Sequence, residues 1–329
     1  MNPAALESPT APPVVEGLPF TSPWLLAPME GVTAPSFRDL VLARHAAADL
    51  GGAFTEFVRV IDRPVAPKEM RKHLGTRRFP IPVGIQLMGS HLEGLTGSAA
   101  NAAELGVPVV DINFGCPARG ALKGCAGAAA LKDPRGMEAT VRAAVAGVDG
   151  RVPVTAKIRA GFDHDRDVEV LARAAEAGGA SMLTIHCRTR REGYQEEVFW
   201  SRIARAVQAV SIPVAGNGSA WLHEDLERMR RETGCALVMV GRGALRDPWI
   251  FSGAEVSTEE AAGFLAEYVE VLETLGAPRR AAVGRAKQLL QYWEAGRLVA
   301  DEEDRQTWLR DADPEHFRAR IRAAAGRPA

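Results

Sequence analysis

Short apolar, β-branched runs recur along the first three quarters of the chain. They are WLLAPM (24–29), GGAFTEFV (51–58), PVGIQLMG (82–89), VVDINFG (109–115), VPVTAKIR (152–159), MLTIHCRT (182–189), IPVAGNG (212–218) and ALVMVGRG (236–243). Alanine-rich stretches with helical spacing lie between most of them. Val168, Leu171, Ala172 and Ala175 share one helix face, and Gly178-Gly179 supplies a stop. Strands that read as continuous hydrophobic runs and alternate with helices predict a parallel sheet covered by helices. Eight such units predict an α/β fold, a closed (β/α)8 TIM barrel. A doubly wound sheet usually has fewer strands and a G-x-G-x-x-G turn, which this chain lacks.

After Asp247-Pro248 the pattern turns purely helical. Ser257-Thr258-Glu259-Glu260 is a capping-box sequence ahead of Phe264, Leu265, Tyr268, Leu272 and Leu275, and Gly276 with Pro278 ends that helix. Val283, Ala286, Leu290 and Trp293 mark a second helix, ending near Gly296. Asp313-Pro314 opens a last one, with Phe317 and Ile321 facing inward and Arg318 and Arg322 on an outer face. The expected organisation is a Pro-rich disordered tail over 1–20, a barrel over 21–252 and a helical domain over 253–329.

Barrel active sites lie at the carboxyl ends of the strands. Those ends carry Met29-Glu30, Glu56, Gln86, Asn113 with Cys116, Lys157 with Arg159, His186 with Arg188, Asn217 and Arg242. Any one of these suits a polar cap at a barrel rim, but polar groups at every strand end together suggest a site. Gly216-Asn217-Gly218 and Gly241-Arg242-Gly243 follow strands seven and eight, where barrels often hold a phosphate against glycine N–H groups. A phosphate-bearing cofactor is expected there.

Charge and cysteine content narrow the setting. The net charge of −1 over 329 residues gives no overall attraction for a polyanion, so such a contact must be local. Residues 59–78 hold seven Lys or Arg against two Asp or Glu, and residues 276–329 hold eleven against eight. Two basic elements beside one active-site mouth would suit nucleic acid, although charge runs are often only solvated faces. The four cysteines include no C-x-x-C pair, so no disulfide framework and no metal site is expected, only reduced thiols in the cytoplasm. The first residues lack the basic start and apolar core of a secretory signal. No apolar run approaches the roughly 18 residues of a membrane span.

The segments LAPMEGVTAPSFRDL, IQLMG, DINFGCPARG…GAAALKDP, TAKIRAG, TIHCRTR, PVAGNGS and VMVGRGALRDPWIF resemble the tRNA-dihydrouridine synthases, in colinear order from about residue 23 to 251. Glu30 in PMEGV, the stretch TEFVRV and RAKQLLQYW resemble the bacterial branch that reduces uridine 16 in the D-loop. The resemblance implies FMN as prosthetic group, NADPH as reductant, tRNA as substrate and a tRNA-binding helical tail. It implies cofactor binding by Pro28, Met29, Glu30, Gln86, Lys157, His186, Asn217, Gly218, Ser219, Gly241 and Arg242, and a proton donor at Cys116. Ser219 departs from the pattern, which commonly has an acidic residue after Asn-Gly. No membrane and no obligate protein partner is implied.

Reducing the uracil 5,6 double bond requires a hydride at C6, which reduced FMN can deliver, and a proton at C5. A thiol of unperturbed pKa about 8.5 is mostly protonated at pH 7 and can donate untuned. A nucleophilic cysteine would want an adjacent base, and the neighbours of Cys116 in sequence include none. Arg159 is expected to stabilise charge developing on the uracil carbonyl, with Asn113 and His186 orienting it, while Lys157 faces the flavin. The Gly/Ala-rich loop after Cys116, with Arg119, Lys123 and Cys125, reads as a cover. With no separate dinucleotide-binding domain, NADPH would use the same mouth as the RNA. Two alternatives remain: an FMN barrel acting on a free pyrimidine, like a dihydroorotate dehydrogenase, and a non-catalytic RNA-binding protein.

Overall fold

Each of the eight apolar runs forms a strand. A computed structural model of the protein describes residues 14–118, 126–194 and 197–326. The strands are β1 (Trp24–Leu26), β2 (Gly52–Arg59), β3 (Val83–Met88), β4 (Val110–Phe114), β5 (Val154–Arg159), β6 (Met182–His186), β7 (Val214–Asn217) and β8 (Leu237–Val240). They pair in sequence order, all parallel, and the β1–β8 pairing (Leu26 opposite Val240) closes the barrel. Closure leaves no open sheet edge and puts every strand's carboxyl end on one rim. The expected (β/α)8 architecture is the one found.

The intervening helices are α1 (Pro35–Leu42), α2 (Pro67–Leu74), α3 (Leu92–Glu104), α4 (Pro134–Val148), α5 (Val168–Ala177), α6 (Ser201–Ala209) and α7 (His223–Thr233). Beyond β8 come α8 (Gly243–Arg246), α9 (Thr258–Thr274), α10 (Arg279–Leu290), α11 (Glu302–Arg310) and α12 (Pro314–Ala324). The chain divides into two compact units. The first contains the strands and most of their helices, and the second comprises 36–45, 221–223 and 242–329. The helix α1 is thus grouped with the C-terminal helices.

Part of the expected N-terminal tail is built into the first unit. Leu18 and Phe20 are buried among Leu25, Phe54, Leu237 and Met239, and the Phe20 ring tilts against Phe54 at 5.9 Å. Two apolar side chains that close the barrel interior outweigh the surrounding prolines and small residues. Residues 1–13 lie outside the described residues.

In the second unit Phe37 of α1 meets Phe264 and Tyr268 of α9, with ring centroids 5.8 and 6.1 Å apart. Arg44 pairs with Glu267 at 2.9 Å and lies 4.5 Å over the Phe264 ring. The expected capping box is present, with Ser257 Oγ accepting from the Glu260 N–H and Glu260 accepting from the Ser257 N–H. Trp293 is fully buried. The outward face expected for Arg318 and Arg322 needs correction, because both side chains are half-buried. Arg318 reaches Glu273 at 3.4 Å across to α9, an intramolecular pairing that sequence spacing could not foresee.

The helices α3 and α4 touch through small residues. A Cβ on Gly147 would stand 2.1 Å from the Thr96 carbonyl oxygen, and Thr96 Oγ1 donates to the Ala143 carbonyl at 3.0 Å. Gly147→Ala must push the two helices apart. It should destabilise the protein by about 1–3 kcal/mol, the usual cost of overpacking, measured as a lower midpoint in thermal or urea unfolding.

Candidate active site

A row of polar side chains inside the carboxyl rim is held by hydrogen bonds that run from strand to strand. Asp111 on β4 is fully buried and accepts from Thr155 Oγ1 and Gln86 Nε2, both at 2.6 Å. Gln86 Oε1 accepts from Asn113 Nδ2 at 2.7 Å. Asn113 Oδ1 then accepts the backbone N–H groups of Gly115 and Cys116, each at 2.9 Å. The register opposes Asp111 to Gln86 and Thr155, and Asn113, two residues further along β4, to Lys157, so two neighbouring levels of the barrel carry the network.

Lys157 Nζ lies 3.5 Å from Asn217 Oδ1, and Asn217 Nδ2 donates to the Met239 carbonyl at 2.6 Å. Burial, aided by the nearby Arg159 cation, pushes the Lys157 pKa down to about 8. Burial pushes Asp111 up to about 6, against the hydrogen bonds from Gln86 and Thr155 and the charge of Lys157. Burial thus works against the charge on both groups, and each one's charge favours the other's.

Arg159 is buried and spans two loops. Its Nε donates to the Gly115 carbonyl at 2.8 Å, and its Nη1 donates to the carbonyls of Thr189 and Gly193 at 3.2 Å. Its guanidinium lies 5.3 Å from the ring centroid of Tyr194, which is 58% exposed and stands edge-on to His186 at 6.3 Å. His186 Nδ1 accepts the Arg188 N–H at 3.1 Å, so the neutral ring carries its proton on Nε2.

Cys116 follows β4, packed beside Met88, Ala126 and Phe57. Burial raises its thiol pKa and the charge of Glu30 adds to this. The Ala118 backbone and the cations Arg159 and Arg59 work the other way. Glu30 itself titrates higher than usual, through burial and the charge of Glu56. The strand β2 shifts register between Phe54 and Phe57, and Glu56 Oε1 is buried with no hydrogen-bond partner among the described residues.

The strand-end candidates Met29, Glu30, Gln86, Asn113, Cys116, Lys157, Arg159, His186 and Asn217 all lie in the first unit, at or just past the carboxyl ends. Pro28 and Met29 follow β1, where a Cβ on Gly241 would stand 3.5 Å from Met29 Sδ. Gly218 and Ser219 both have positive φ (126° and 54°), and Ser219 Oγ accepts from Arg188 at 2.9 Å. The hydroxyl thereby takes the Arg partner that an acidic residue could hold. Arg242 falls in the second unit, its guanidinium 5.0 Å over Trp221. Arg119, Lys123 and Cys125 lie outside the described residues.

Three contributors are not among those candidates. Asp111 and Thr155 sit in mid-strand, and the available signal is a lone carboxylate inside VVDINF. Tyr194 lies in a polar loop with nothing in its local pattern to mark it. Cys187 and Cys235 are buried small residues, as expected. Among the described residues no cluster suits a metal ion, and no helix is long and apolar enough to cross a membrane.

A (β/α)8 barrel with a buried lysine, converging amides and a half-buried thiol at its carboxyl rim has the make-up of an enzyme active site. Residues 25–310 match the model of the family described as Dihydrouridine synthase (Dus), and the chain belongs to that family of flavin-dependent oxidoreductases. Three proteins named tRNA-dihydrouridine(16) synthase are similar to it. That of Aquipseudomonas alcaligenes is 37% identical over 297 residues, spanning 84% of this chain and 93% of its own. That of Yersinia pestis is 36% identical over 282 residues, spanning 82% and 88%. That of Pseudomonas putida is 40% identical over 231 residues, spanning 68% and 70%.

The causes acting on Cys116 fix the sign of a pH experiment. Its alkylation by iodoacetamide should rise with pH around a midpoint above that of an ordinary thiol. Glu30→Gln removes a charge that opposes the thiolate, so the midpoint should fall. A midpoint that stays put or rises would show that the Glu30 carboxylate is not felt at the sulfur.

Proposed function

We propose that this chain is a tRNA-dihydrouridine(16) synthase that reduces the uridine 5,6 double bond in the tRNA D-loop with FMN and NADPH. The observation that carries this is a half-buried thiol just past the end of β4, its pKa raised by burial, in a loop that the buried Arg159 guanidinium holds through the Gly115 carbonyl. The names of the relatives above support the substrate.

The donor set suits a flavin. Lys157 is a buried cation able to face an anionic ring edge, with Gln86, His186 and Asn217 offering further polar atoms. The left-handed Gly218-Ser219 pair favours a backbone concavity for a phosphate, and a Cβ on Gly218 would stand 2.5 Å from Cys187 Sγ. In this reading Pro28, Met29, Glu30, Gln86, Lys157, His186, Asn217, Gly218, Ser219, Gly241 and Arg242 hold FMN. Bound FMN, recharged by NADPH, supplies the two electrons for the reduction.

The chain's own groups supply the proton and the geometry. Cys116 Sγ–H donates to C5, a role its raised pKa favours because the thiol stays protonated at neutral pH. Arg159 stands beside the Cys116 loop and stabilises negative charge developing on the uracil carbonyl, and Asn113 holds the loop in place. The target base leaves its stack to enter, costing a few kcal/mol. The exposed Tyr194 ring offers a face for that base. After each turnover the thiolate takes a proton from solvent at the mouth.

The tRNA backbone is met by the basic segment after β2, where Lys68, Arg71, Arg77 and Arg78 are exposed, and by the helical unit. NADPH uses the same mouth in turn with tRNA, and the setting is cytoplasmic with no obligate protein partner. Replacing Lys68 and Arg71 by Gln should raise KM for tRNA. It should also lower the log–log salt slope by about 0.9 for each phosphate no longer neutralised, with NADPH oxidation in the absence of RNA unchanged. An unchanged slope would remove this helix from the interface.

Flavin released by heat and separated by chromatography should be FMN, and FAD would contradict the proposed phosphate site. Cys116→Ala should stay yellow and be reduced by NADPH at nearly the normal rate. Reoxidation of its flavin by unmodified tRNA without oxygen should slow about 10²–10⁴-fold, and free uridine should not replace tRNA. A normal rate in that single turnover would remove Cys116 as the proton donor.

A further inference from the structure

The hydrogen bonds beneath Cys116 have a direction. The N–H groups of Gly115 and Cys116 can only donate, so the Asn113 atom facing them must be its oxygen. Asn113 Nδ2 then points at Gln86, whose facing atom must be Oε1, and Gln86 Nε2 is left pointing at residue 111. Residue 111 must accept there, and it must also accept from the Thr155 hydroxyl. An aspartate accepts on both oxygens, and an asparagine of the same shape cannot. Asparagine at 111 keeps the direction only by turning its N–H₂ onto Thr155, whose hydroxyl then loses its acceptor. Otherwise every amide in the chain reverses, and Asn113 presents N–H to N–H beside the cysteine.

We propose that Asp111 is a positioning residue for the reaction: as the terminal acceptor of a one-way amide chain through Gln86 and Asn113, it sets where the Cys116 thiol stands. Asp111 makes its hydrogen bonds with Thr155 and Gln86 in the barrel interior, and its effect on the cysteine loop passes through Gln86. The catalytic meaning rests on the proposed role of Cys116, while the chain and its direction are a separate matter that can be tested without turnover.

The chain can be reversed at its buried end without being broken. Gln86→Glu alone sets two carboxylates against each other across a 2.6 Å contact, and their repulsion pushes the side chain at position 86 out of the place where it accepts from Asn113. Adding Asp111→Asn restores a donor. The new amide nitrogen at position 111 donates to the new carboxylate at position 86, and the new amide oxygen still accepts from Thr155. The carboxylate at position 86 still accepts from Asn113. Hydrogen exchange of the Gly115 and Cys116 amides, read by NMR in the full chain, reports the last link directly.

Each single substitution should speed exchange of these two amides about tenfold, and the double should return within about twofold of wild type. The Ile85 N–H, bound to the Val109 carbonyl, should exchange at the wild-type rate in all four proteins. If a single variant does not fold, the double still decides, since it should fold and protect both amides. Additive losses in the double variant, or a double that fails to fold, would overturn the proposal. Normal reoxidation by Cys116→Ala would instead remove the proton donor and leave the exchange result standing.

Discussion

The pairing of β1 with β8 is the constraint on which the rest depends. Three residues of β1 pair with β8, and they turn an open row of strands into a closed ring. Without closure, Met29 and Gly241 would belong to opposite edges of a sheet, and the eight strand ends would not face a common centre. Leu18 and Phe20 pack against the same ring from the interior, which holds a segment of unpromising composition to the barrel.

Inside the ring, Asp111 and Lys157 are both buried ionisable groups. Each alone would be driven toward its neutral form by burial, Asp111 upward and Lys157 downward. Their mutual attraction and the hydrogen bonds from Gln86 and Thr155 oppose this. Such an arrangement costs stability that an apolar core would not, and that penalty is common where a site must keep a charge. Here Lys157 lies beside Asn217, while the hydrogen bonds of Asp111 lead through Gln86 and Asn113 to the backbone of the cysteine loop.

The second unit handles charge differently. Many of its arginines are engaged by intramolecular partners, Arg279 and Arg318 with Glu273, Arg320 with Asp304, and Arg246 with Glu294. The excess of positive charge over 276–329 therefore overstates what faces solvent. The segment after β2 keeps more of its cations exposed, so a polyanion meets more available charge there.

Eight strands, their order and the capping box at Ser257 were legible in the sequence, because each follows from short-range periodicity and local backbone chemistry. The residues at the strand ends were legible too, since a parallel barrel places all carboxyl ends on one rim whatever its details. Tertiary structure alone decided which of them touch. Asp111, Gln86, Asn113 and Thr155 come from three strands, and their hydrogen bonds depend on register, which a parallel sheet inherits from its neighbours and not from its own sequence. The burial that raises the Cys116 pKa and the pairing of Arg318 with Glu273 are likewise long-range facts. A hydrophobic pattern records which side chains leave water, and only packing decides which polar groups leave with them.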